Sequence, residues 1–131
     1  MCLSKLENFK VTQNYGWQVF SKDSPNMLYP CFFGSRPVPI GKWQKDKFRI
    51  LKRWIYTDIS ALIKYRKGYH IFLNEEDAKT FRLNLARDYC IRKVRFKKVL
   101  VKGFQKIVSG ALLTRWAKVI VCRKRFVESE L

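Results

Sequence analysis

A chain of 131 residues is long enough to bury one hydrophobic core and too short for two, so a single domain spanning 1–131 is expected. Its 47% apolar and 15% aromatic content excludes a disordered chain, even though 28 lysines and arginines outnumber 10 acids for a net charge of +18. So much positive charge strains a compact state, and nucleic acid, an anionic nucleotide or an anionic membrane surface are the partners that would relieve it.

Residues 1–13 mix polar and apolar types without a period and are expected to be loosely held. They show no apolar run or small-residue cleavage site of the kind a secretory leader carries. Tyr15-Gly16-Trp17-Gln18-Val19-Phe20 alternates like a strand. Ser24-Pro25-Asn26 reads as a turn, and Leu28 to Phe33 as a second strand that Pro30 confines to an edge. Gly34 to Gly41, with Pro37 and Pro39, reads as extended loop.

Lys42 to Lys67 holds nine basic residues against Asp46 and Asp58, with Trp43, Phe48, Trp54, Tyr56 and Tyr65 interleaved. Charges alternating with rings suit a groove that neutralises phosphate and stacks bases, although large rings also dominate cores. Tyr65 to Leu73 follows as a strand opening at a glycine, Gly68. Asn74 is then a good N-cap, and Glu75, Glu76 and Asp77 sit where a helix dipole favours acids. Ala78, Phe81, Leu85 and Tyr89 form the stripe of a main helix over about 75–88. Capping accounts for the three acids without any catalytic role.

From Tyr89 to Val127 there are twelve basic residues and no carboxylate. Val94 and Phe96 share one parity, Val99 and Val101 the other, so a strand with a β-bulge at Lys97–Lys98 is expected. Gly103 to Gly110 reads as the connecting loop. Ala117, Val119 and Val121 then oppose Trp116, Ile120 and Cys122, which predicts a central strand covered on both faces. The fold class is α+β: a mostly antiparallel twisted sheet, one main helix and long loops.

The chemistry-bearing residues are sparse. Cys2, Cys31, Cys90 and Cys122 are widely spaced and read as reduced thiols of a cytoplasmic protein, and one histidine, His70, gives no zinc pattern. His70 lies inside a strand, where a structural role outweighs a catalytic one. No P-loop, GxGxxG or metal-ligand spacing is present, and no stretch approaches the roughly 18 apolar residues of a membrane helix. No catalytic residue, cofactor or metal is assigned.

The order of a strand with Gly68-Tyr69-His70-Ile71-Phe72, a helix with Ala78 and two long strands resembles the second half of the ADP-ribosyltransferase core. That resemblance implies a nucleotide-binding frame. Its catalysis is missing, since Tyr15 to Phe20 offers no His or Arg and no acid lies between Tyr89 and Val127. The wider layout, from Met1-Cys2-Leu3 through Tyr15–Phe20 to Gly68–Phe72, resembles small bacteriophage proteins. This second resemblance implies action in the cytoplasm of an infected bacterium, with an anti-defence role of the anti-CRISPR type as one alternative.

The leading expectation is a non-enzymatic nucleic-acid-binding domain. Lys93, Arg95, Lys97, Lys98, Lys102, Arg123, Lys124 and Arg125 would form its basic sheet face, extended by Lys52, Arg53, Arg66 and Lys67. The rival expectations are an inhibitor of a host nucleoprotein complex and a nucleotide binder on the ADP-ribosyltransferase-like frame.

Overall fold

The computed structural model describes residues 3–24, 27–30, 36–46, 54–56, 64–66, 68–83, 88–109 and 113–129. Among these residues, nine strands and one helix follow in the order β1 (Lys5–Leu6), β2 (Tyr15–Ser24), β3 (Met27–Pro30), β4 (Trp43–Lys45), β5 (Trp54–Tyr56), β6 (Lys64–Arg66), β7 (Tyr69–Phe72), α1 (Glu75–Leu83), β8 (Tyr89–Ser109) and β9 (Leu113–Val127). Seven strands make one sheet in the order β1-β8-β2-β7-β9-β4, with β3 on the edge of β2, and β5–β6 form a separate pair. Because β8 also pairs with β9, the path β8–β2–β7–β9 returns to β8 and closes on itself. Every pairing between named strands is antiparallel.

β9 is a central strand with both faces covered, as its two apolar sets require. Val119 and Val121 join Val19 and Phe72 in one core, whereas Ile120 and Cys122 join Phe20 and Ile71 in the other. All eight are buried, since neighbours along a strand point to opposite sides. β3 pairs with β2 alone among the described residues, and Cys31 to Phe33 of the expected strand lie outside them.

Three elements differ from the expectation. The helix is a short one of nine residues ending at Leu83. Asp88 lies just before β8, its carbonyl accepting the Lys22 N–H at 3.2 Å. The cap itself is present, with Asn74 Oδ1 accepting the Glu76 N–H at 2.9 Å. Residues 3–9 are anchored: Leu3 and Ser4 are buried, and the Ser4 and Glu7 amides donate to the Phe104 and Lys102 carbonyls at 2.7 and 3.0 Å. Finally, Gly103 to Ser109 is strand, so β8 runs unbroken for 21 residues.

Gly103 misleads because glycine reads as a breaker, while here it admits a neighbouring backbone. A Cβ at this position would collide with the Lys5 carbonyl oxygen and press on Leu3. Gly103→Ala should therefore push β1 off β8 and lower unfolding free energy by about 2 kcal/mol. The check is amide exchange. Ser4 and Glu7 should lose protection first, and unchanged protection there would refute the account.

The expected bulge exists, displaced by two residues. Lys98 carries a left-handed φ of 57°. The register then slips between Val99 and Val101, so that Leu100 is the residue inserted opposite β9. The switch moves the buried set of β8 from Val94 and Phe96 to Gly103, Gln105 and Ile107.

Candidate nucleic-acid interface

The basic run of β8 alternates between two faces. Lys93, Arg95 and Lys97 are exposed, while Arg92, Val94 and Phe96 are buried. Residues directly opposite in an antiparallel pair share a face, so the register places what surrounds the three cations. Lys93 lies opposite Trp17 and Arg95 opposite Tyr15 on β2. On the other side Arg95 meets Phe126, and Lys97 meets Lys124, on β9. β4 then adds Trp43 opposite Phe126 and Lys45 opposite Lys124.

Each of the three cations Lys93, Arg95 and Lys97 rests on a ring from another strand of the sheet. Lys93 Nζ stands 4.5 Å from the Tyr15 ring centre, the Arg95 guanidinium 4.4 Å from Phe126 and Lys97 Nζ 4.1 Å from Trp43. The rings also touch one another, Tyr15 with Trp17 at 5.6 Å and Trp43 with Phe126 at 5.6 Å. A ring face carries negative potential, so stacking offsets part of the repulsion among the cations and holds them in a row. Glu128 Oε1, 3.1 Å from Arg95 Nε, brings an acid to this surface. Tyr15 and Trp43 remain exposed at 36% and 42%, leaving ring surface for a ligand.

The structure thus brings Lys93, Arg95, Lys97 and Lys124 together, with Lys98 next along the strand, and sets Lys102, Arg123 and Arg66 apart from them. Lys102 is half-buried and spends its ammonium on the Phe9 carbonyl at 2.7 Å. Arg123 is half-buried. Arg66 belongs to β6 in the separate two-stranded sheet. Lys52, Arg53 and Lys67 lie outside the described residues.

Arg125 departs most from the expectation of an exposed basic face. It is 5% exposed. Its Nη1 donates to Gln18 Oε1 at 3.0 Å, its Nε and Nη2 to Gln44 Oε1 at 3.1 and 3.0 Å, and its guanidinium lies 4.0 Å from the Tyr69 ring centre. Burial pulls its pKa down, opposed by Tyr69, Cys122 and Asp46. The same burial pushes the Tyr69 phenol and the Cys122 thiol each up to about 12. Cys90 and Cys122 are free thiols, and the Cys122 sulfur is a packing group at neutral pH.

His70 is also structural. It is buried, with Nε2 2.9 Å from the Tyr65 hydroxyl, which in turn accepts the Leu3 N–H at 2.7 Å. A neutral imidazole protonated on Nδ1 would accept the hydroxyl proton at Nε2, and this pairing satisfies both groups. Desolvation lowers its pKa to about 3.

The interface residues that sequence reasoning left off the basic face are Tyr15, Trp17, Trp43, Lys45 and Phe126. Part of the signal was present: Tyr15 and Trp17, Lys93 to Lys97, and Lys124 and Phe126 each recur at a spacing of two, as one strand face requires. Among the described residues, no group of three or more His, Cys, Asp or Glu is placed to hold a metal, and no helix is long and apolar enough to cross a membrane. No family model, curated protein or solved structure matches the chain.

Proposed function

We propose that the protein is a non-enzymatic nucleic-acid-binding module that grips phosphates from the ring-lined basic face of β2, β8, β9 and β4. The observation that carries this reading is the row of Lys93, Arg95 and Lys97 stacked on Tyr15, Phe126 and Trp43. Three cations held in a line by rigid strands match the repeating charge of a phosphate backbone. The partly exposed rings between them suit the faces of unpaired bases. A single strand is therefore the favoured ligand. Phosphate contacts supply most of the affinity and little sequence preference.

Anisotropy titration of a labelled oligothymidylate against salt tests the proposal. Log affinity should fall with log salt by about 0.7 for each phosphate neutralised on a single strand. Changing Lys93, Arg95 and Lys97 together to glutamine should flatten that slope by about 2 and weaken binding at least tenfold or so at moderate salt. A salt-independent affinity, or a folded triple variant that binds like the parent, would rule the reading out. A host nucleoprotein complex would present the same phosphates. In a pull-down, a main partner that survives nuclease treatment would transfer the proposal from nucleic acid to protein.

A further inference from the structure

We propose that a second site, a cleft between residues 10–13 and the β8–β9 hairpin, binds one phosphorylated nucleotide. The cleft has a volume of about 470 Å³, which is the size of a small-ligand site. Lys10, Arg115 and Lys118 line it together with Trp116, Gln13 and Asn74. Its acid is already committed: Asp77, buried at the cleft wall, lies 2.7 Å from Arg115 Nε. That contact fixes the guanidinium through one edge and leaves its terminal amino groups to grip a phosphate as a fork.

The ring needed for a base is also in place. Trp116 is 42% exposed and stands edge-on to Phe104 at 6.4 Å, with Lys5 Nζ 5.1 Å from its centre. Lys118, opposite Phe104 in the register, lies over the Phe9 ring at 5.4 Å. A cleft that combines cations with a partly exposed indole, itself contacted by Lys5 and Lys106, selects a ligand with an anionic end and a flat end. A mononucleotide has both, whereas inorganic phosphate lacks the ring and a nucleoside lacks the charge. This inference does not rest on the sheet-face reading, because it shares no residue with it.

Calorimetric titration of the full chain with AMP, adenosine and inorganic phosphate at low salt tests it. AMP should bind one to one, and about tenfold or more tighter than either of the other two. Lys10→Gln and Lys118→Gln avoid Asp77, so folding should survive, and each should weaken AMP by about fivefold or more. Trp116→Ala should erase the preference for AMP over inorganic phosphate. The triple glutamine variant at Lys93, Arg95 and Lys97 should bind AMP normally, even if oligothymidylate binding fails in every form of the protein. Absent AMP binding, equal affinity for inorganic phosphate, or loss of AMP only in the triple variant would each overturn the site.

Discussion

Replacing Arg125 by alanine should lower the unfolding free energy by about 3–5 kcal/mol through stranded hydrogen-bond acceptors and a vacated volume. Gln18 Oε1 and Gln44 Oε1 would both lose their donor, and an unmatched acceptor costs about 1–3 kcal/mol where it is buried, as at Gln18, and less at the half-buried Gln44. The vacated space beside Tyr69 and Phe20 adds a cavity. Since Gln18 Nε2 also donates to the His70 carbonyl at 2.8 Å, the damage should reach β7. Denaturant melts measure the loss. Combining Arg125→Met with Gln18→Leu and Gln44→Leu should recover part of it, because no polar group is then stranded. A single alanine variant within about 0.5 kcal/mol of the parent, as for a surface site, would contradict the network.

Acid should destabilise the protein through His70. Its folded pKa of about 3 lies below the ordinary 6.5, so between those values the unfolded chain binds a proton that the folded chain refuses. Stability is full above pH 6.5 and declines as the pH falls toward 3. At pH 4 the loss from this one group should be about 3 kcal/mol. His70→Gln keeps an acceptor for Tyr65 and cannot titrate. Comparing the two proteins from pH 7 to 4 isolates the histidine from the general repulsion of a chain at +18. Parallel stability curves would show that His70 does not carry the acid response.

Local features of this chain were legible in its sequence and cross-chain ones were not. Asn74 followed by three acids marks the helix start because a cap depends on neighbours only. The alternation around Val119–Cys122 marks a strand covered on both faces for the same reason. Arg125 could not be separated from Lys124 by pattern. Its burial is made acceptable by Gln18 on β2 and Gln44 on β4, which the register alone brings near. Trp43 likewise reaches the interface only because β4 pairs with β9, and a run of basic and aromatic residues does not specify that pairing. Gly103 was ambiguous until β1 was placed beside it.

The closed circuit of strands has a consequence for how the chain is made. Lys5 pairs with Phe104, Tyr15 with Arg95 and Trp43 with Phe126, so β1, β2 and β4 all take partners from the β8–β9 hairpin. During synthesis these earlier strands leave the ribosome long before the hairpin that joins them. Until then, Val19, Phe20, Ile71 and Phe72 have no β9 to bury them. A topology so dominated by distant pairs folds slowly, and it exposes apolar strand edges to chaperones while it waits. The hairpin itself is local and can zip by itself once it emerges. Its arrival, rather than the growth of any earlier segment, should set the moment at which the nascent chain becomes resistant to protease.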